Sequence, residues 1–301
     1  AEAWSEASIN GIDGVTRHYS WQAHAESYLE KIHYLPDKYH PIPNERPAPR
    51  QIRYRDRAIF SDLDQNLIGD PAALKCFAEM IKDNRRCVTF GIASGRRIDN
   101  ALSIISKHNI PKPDILISSL GTRIHYGQSL TEDGFWADHI DHDWSPIRAR
   151  RVLAELPGLK LQPPIEQTQF KISYYYDPKK APPIEEIISL LRQKDITANV
   201  LLSFGQFLDI IPSRASKGQA LRYVAQRLDI PLEQILVAGG SSADEDMMRG
   251  NTLAVVVGNR HNEELAQLAD QESIYFAEQP HASGIMEAID HYDFFDACRV
   301  P

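Results

Sequence analysis

Ile59-Phe60-Ser61-Asp62-Leu63-Asp64-Gln65-Asn66 reads as an apolar strand that ends in two carboxylates one residue apart. Open α/β sheets place their ligands at the carboxyl ends of parallel strands, and alternate side chains of a strand share a direction until it turns. Both acids can therefore face one phosphate. A carboxylate can attack phosphorus to form an aspartyl-phosphate, while a second acid protonates the leaving alcohol and later activates water. Two close carboxylates also attract magnesium, a hard ion that seeks oxygen. The plainer use of the same residues is a helix cap or a solvated turn.

Working outward, Ala58-Ile59-Phe60 is followed by a helical pattern from Pro71 to Lys82. Cys87 to Ile92 is followed by another from Arg96 to His108, and Ile115-Leu116-Ile117 adds a third strand. Short apolar strands alternating with helices are the signature of a parallel sheet with crossover helices. The rhythm changes over 135–206, with helix, strand and helix around Phe170 to Tyr176, and resumes at Ile235-Leu236-Val237 and Leu253 to Val257. We expect a core at 57–134 and 207–301, interrupted by an inserted α+β cap at 135–206. Upstream, Tyr19, Trp21, His24, Tyr28, Leu29 and Ile32 follow a helical spacing within 1–33. The stretch 34–56 carries Pro36, Pro41, Pro43, Pro47 and Pro49, which remove backbone donors and mark a linker.

Three later segments bear on the same chemistry. Val88 to Ala93 ends in Ser94-Gly95-Arg96-Arg97, where a hydroxyl and the amides of a helix start can hold phosphate oxygens, or serve as an ordinary N-cap. Ala215-Ser216-Lys217-Gly218-Gln219 opens a helix with a lysine able to act as a point charge on phosphate and nucleophile. Gly239-Gly240-Ser241-Ser242-Ala243-Asp244-Glu245-Asp246 is a glycine and serine turn followed by acids. Asp244 or Asp246 could reach a metal there, or favour a helix N-terminus through its dipole.

Composition agrees with a small-molecule site. The 301 residues suit one main core with a smaller companion, and 43% hydrophobic with 25% charged residues is ordinary soluble usage. A net charge of -8 without a Lys/Arg block argues against nucleic acid, and the apolar runs are too short for a bilayer. Cys76, Cys87 and Cys298 show no metal-ligand spacing, and a cytoplasmic setting is expected.

The order DxDxx, Ser-Gly-Arg, Lys-Gly-Gln and a Gly-rich acidic turn resembles the four motifs of haloacid dehalogenase (HAD) phosphatases across residues 57 to 292. Ile117-Ser118-Ser119-Leu120-Gly121-Thr122, Lys171-Ile172-Ser173-Tyr174 and Lys217-Gly218-Gln219-Ala220-Leu221 resemble sucrose-phosphatase in particular. Asn10-Gly11-Ile12 through Tyr19-Ser20-Trp21-Gln22-Ala23-His24 is similar to the closing helix of the sucrose-phosphate synthase transferase, so the whole resembles the carboxy-terminal part of that synthase family.

The resemblance implies a HAD-like Rossmannoid α/β core with a C2-type cap. It implies Asp62 as nucleophile, Asp64 as acid and base, Ser94 and Gly95 as phosphate ligands, and Lys217 as charge clamp. Asp62, Asp64 and Asp244 would hold Mg2+, and Lys171 and Ser173 would touch the sugar. The implied partners are a sugar phosphate such as sucrose 6-phosphate, a GT-B glycosyltransferase domain preceding this region, and a separate sucrose-phosphatase. The sequence departs from the family pattern at Gly240, where an aspartate is usual, at Ala243 in place of asparagine, and at Asn66 in place of threonine. Slow phosphatase activity or none is expected on that ground.

Overall fold

The computed structural model describes residues 8, 10–16, 20–22, 25–26, 29, 55–260 and 273–296. The chain divides into two units, Ala1–Ile52 and Arg53–Pro301. In the first unit residues 10–16 are helical, while Tyr19, Tyr28 and Ile32 of the expected helical spacing lie outside the described residues. His24 and nearly all of the proline-rich stretch lie outside the described residues.

The second unit begins with β1 (Arg57–Ser61), α1 (Pro71–Asp83), β2 (Val88–Ala93), α2 (Ile98–Lys107) and β3 (Ile115–Ser118). Then come β4 (Arg123–Tyr126), β5 (Thr131–Glu132), α3 (Gly134–Ile140), α4 (Pro146–Leu153), β6 (Leu159–Leu161), β7 (Ile172–Tyr176), α5 (Ile184–Gln193), β8 (Ala198–Ser203) and β9 (Phe207–Pro212). The chain continues through α6 (Lys217–Leu228), β10 (Ile235–Gly239), α7 (Glu245–Met248), β11 (Leu253–Val256), β12 (Ile274–Phe276) and α8 (His281–His291). Helix starts are locally encoded. Asp70 accepts the Ala72 and Ala73 amides at the head of α1, with Pro71 in the first turn, and α1 buries Ala73, Leu74, Phe77 and Ile81 at helical spacing.

Eight strands form the main sheet in the order β12-β11-β10-β1-β2-β3-β4-β5, paired in parallel except where β4, near one edge, runs antiparallel to both β3 and β5. Ala58 and Phe60 enter one hydrophobic cluster and Ile59 the other, so β1 is covered on both faces. Its central place is also the switch point of the strand order, from which β2 and β10 depart on opposite sides. Ser61 pairs with Ile92 of β2 and with Ala238 of β10. That register brings Asp62, Ser94 and Gly240 off the same edge of the sheet.

The cap is a four-stranded antiparallel sheet, β6-β7-β9-β8. Here the expectation needs correction: Phe207–Pro212, assigned above to the core, is an inner cap strand between β7 and β8. Leu208, Ile210, Ile211 and Pro212 are buried around Asp209, and a strand with buried apolar residues on both faces looks the same in sequence whether it belongs to a parallel core or to an inner antiparallel sheet. Ile172, Ile187, Leu191, Leu208 and Ile210 are buried in the cap, each contributing about 1.5–3 kcal/mol relative to exposure.

Candidate functional site

Asp62 follows β1 directly; its amide donates to Ala238 O at 3.0 Å, and the residue is 7% exposed. Lys217 reaches it from the first turn of α6, whose start is capped by Ser216 accepting the Gln219 amide at 2.9 Å. The turn at Ser119–Gly121 lies against that start. A Cβ on Gly121, at φ +87°, would fall 2.0 Å from Ser216 O, so the approach requires glycine. The Lys217 ammonium sits 3.1 Å from Asp62 Oδ1 and 2.7 Å from Asp244 Oδ1. Burial disfavours its charge, but Asp244 and Asp62 outweigh burial and hold its pKa above the usual lysine range. For Asp62 burial dominates. With Asp244 and Asp64 adding to it and Lys217 opposing, burial pushes the carboxyl up to about 7.

Asp244 has a different place from the expected one. Its Oδ2 accepts the Gly240 amide at 3.1 Å, the Ser241 amide at 3.1 Å and Ser241 Oγ at 2.9 Å, while Oδ1 holds Lys217. It is fully buried as the closing member of a capping box. Asp64 is turned aside as well: Arg96 Nε and Nη2 grip its two oxygens at 2.7 and 2.8 Å. Magnesium is the ion the motif order implies. Asp244 does not fit as a direct ligand, since Lys217, two amides and a hydroxyl already occupy its oxygens, whereas Asp62 and Asp64 line the cavity and Asp64, with two bonds accepted, keeps lone pairs to offer. Among the described residues no cluster of three or more His, Cys, Asp or Glu side chains is placed to hold a metal. Asp246, the other acidic candidate, accepts from Ser216 Oγ and pairs with Arg222 at 3.5 Å.

Asp62, Asp64, Gly95, Lys171 and Lys217 do line one cavity of about 250 Å³ between core and cap. Ser94 is fully buried, its Oγ accepting the Arg96 amide at 3.2 Å, and Gly95 takes the cavity wall instead. Lys171 lies 3.5 Å from Asp209 Oδ1, to which Ser173 Oγ also donates. Ser173 is fully buried and sits outside the cavity lining.

Sequence reasoning missed Arg96 as the partner of Asp64, and missed Gln162, Glu166, Phe204 and Asp209 on the cap side of the cavity. Arg96 had a signal in its place beside Ser94-Gly95. The cap residues had none, because they come from separate loops and strands of no fixed spacing.

A family model described as sucrose-6F-phosphate phosphohydrolase matches residues 55–293. Among curated proteins, mannosylfructose-phosphate phosphatase of Agrobacterium fabrum is 29% identical over 242 residues, 78% of this chain and 96% of that protein. Probable sucrose-phosphatase 2 of Arabidopsis thaliana is 32% identical over 249 residues, 78% of this chain; the chain spans 59% of that relative's length. Among solved structures, the sucrose-phosphatase of Synechocystis sp. PCC6803 in complex with sucrose and phosphate superposes with a TM-score of 0.76 at 30% identity, covering 79% of this chain and 98% of that one. A HAD subclass IIB sugar phosphatase, 16% identical with a TM-score of 0.57, shares the fold. With the motif order, the HAD-like α/β architecture and a family match over most of its length, the chain belongs to the sucrose-6F-phosphate phosphohydrolase family.

Proposed function

We propose that this domain binds sucrose 6-phosphate or a close sugar phosphate and hydrolyses it slowly through an aspartyl-phosphate. The observation that carries this reading is the meeting of Asp62, Asp64 and Lys217 around one cavity whose other wall is the cap. In the first step an Asp62 oxygen bonds to phosphorus, the bond to the sugar oxygen breaks, and Asp64 gives that oxygen its proton. In the second, water attacks phosphorus, Asp64 takes its proton, and phosphate leaves with Asp62 regenerated. Lys217 holds the nucleophile and the phosphate oxygens together, and Gly95 offers its amide. The step is slow because Arg96 Nε and Nη2 occupy the two oxygens of Asp64, and burial disfavours the ionised form of Asp62. No step is assigned to magnesium.

A second reading, an inactive module that binds the sugar phosphate or docks a separate sucrose-phosphatase, is favoured by the double grip of Arg96 on Asp64 and by Gly240. Phosphate release from sucrose 6-phosphate separates the two, and none at stoichiometric enzyme would remove the first.

The sequence from Asn10 to His24 further supports placing this chain at the carboxy-terminal end of a sucrose-phosphate synthase, with 1–33 packed on its glycosyltransferase domain. An antibody to the domain would then detect a native polypeptide of synthase size. A band matching a chain of 301 residues would refute the fusion.

A further inference from the structure

Gln65 follows Asp64 directly and stands at φ +60°, in the turn by which the chain leaves β1. A glutamine pays for that left-handed backbone, so something must hold the turn there. Two side chains from the carboxy-terminal part of the chain do so. His281 Nδ1 lies 2.9 Å from Gln65 O, and Asn259 Nδ2 donates to the same oxygen at 2.8 Å. A carbonyl only accepts, so the His281 bond requires the proton on Nδ1. The two residues are also fastened to each other, since Asn259 Oδ1 accepts the His281 amide at 2.8 Å. His281 itself opens α8 at φ +54°, and its ring lies against Gly69, where a Cβ would fall 2.2 Å from His281 Cε1. On the other side of the turn Asn66 Nδ2 donates to Asp64 O at 3.0 Å. Neither His281 nor Asn259 lines the cavity that Asp62 and Asp64 share, so both act on it through the backbone of the turn. Two strained residues, 216 apart in the chain and joined by one hydrogen bond, mark a turn held for function.

We propose that His281, together with Asn259, is a positioning residue for Asp64: by fixing the Gln65 carbonyl it sets the direction in which the acid meets the leaving-group oxygen. The assignment rests on the hydrolytic reading above. It is tested on the full chain with two substrates, sucrose 6-phosphate and p-nitrophenyl phosphate, whose leaving group needs no proton. His281→Leu keeps the branching of the side chain and the strain but has no donor, whereas His281→Asn puts an amide donor where Nδ1 stands and tolerates the left-handed backbone. His281→Leu should slow release from sucrose 6-phosphate by about 10- to 100-fold, the scale of a catalytic group held slightly out of place. Its release from p-nitrophenyl phosphate should hold within about twofold, because proton donation is not needed there. His281→Asn should stay within about threefold of the wild type on both substrates, since the donor is restored. Should His281→Leu fail to fold, Asn259→Asp gives up the Nδ2 donor, keeps the acceptor for the His281 amide, and should show the same split between substrates. Equal slowing on both substrates, or no slowing on either, would overturn the positioning role and leave hydrolysis through Asp62 intact. So would a His281→Asn protein as slow as His281→Leu on sucrose 6-phosphate. A wild type that releases phosphate from neither substrate would overturn both readings.

Discussion

Lys217 Nζ stands 2.7 Å from Asp244 Oδ1, with the two side chains 2% and 0% exposed, so the fourth motif serves here to anchor a lysine. Removing one partner of a buried pair strands the other charge, which is far more damaging than loss of a surface ion pair. Asp244→Ala also leaves the amides of Gly240 and Ser241 without their acceptor. It should lower unfolding stability by about 3–5 kcal/mol, read from urea midpoints.

The pH response follows from Asp62. Its carboxyl is pushed up to about 7 by burial, so it is neutral below that value and ionised above it. Only the ionised form can attack phosphorus. Hydrolysis without added metal should therefore rise with pH through about 7 and level off, in a profile of kcat/KM. Stability responds with the opposite sign: a raised carboxyl pKa means the folded state binds the extra proton, so this group's contribution weakens as pH climbs from the ordinary carboxyl value of 3.8 to about 7. A rate that is flat from pH 5 to 8 would contradict this assignment.

Asp64 and Arg96 make a third test. Asp64→Asn should slow release from sucrose 6-phosphate by about 10²–10⁴, the usual range for a general acid. Arg96→Gln releases both Asp64 oxygens toward the leaving-group oxygen, so turnover of the sugar phosphate should rise severalfold. Release from p-nitrophenyl phosphate, whose leaving group needs no proton, should stay the same. The pair is about one-third exposed, so its loss should cost no more than about 1 kcal/mol in stability.

Gly240 offers a gain-of-function test. A Cβ built there meets Val257 Cγ2 at 3.3 Å and Asn66 Nδ2 at 3.8 Å, so a side chain fits with a small shift of the valine. Asn66 Oδ1 is buried beside it without a hydrogen-bond partner. Gly240→Asp adds a carboxylate that no cation already occupies. Magnesium should then stimulate phosphate release by about 10- to 100-fold in the variant and much less in the wild type.

Much of this was legible in the sequence, and the failures have physical causes. The strand before Asp62, the helix at Pro71 and the lysine of Lys217-Gly218-Gln219 announced themselves because periodicity and capping are local. Phe207–Pro212 was misplaced because an inner cap strand and a core strand both bury apolar residues on their two faces, and only pairing partners distinguish them. Asp244 is expected as a metal ligand because the Gly-rich acidic turn resembles the fourth HAD motif. What decides its role is the donor field around it: Lys217 from 27 residues away and the amides of its own turn. Arg96 shows the same limit, since its grip on Asp64 spans 32 residues of chain. Phe204 was invisible, because nothing local in the sequence marks a hairpin tip as part of a cavity wall.

The most direct measurement is phosphate release from sucrose 6-phosphate by the purified chain and by Asp62→Asn at enzyme concentrations near that of substrate. Slow release by the wild type, trapping of a labelled phosphoryl group on the protein, and loss of both in Asp62→Asn are the predicted result. Release that persists undiminished in Asp62→Asn would contradict the assignment of this cavity as the reacting site.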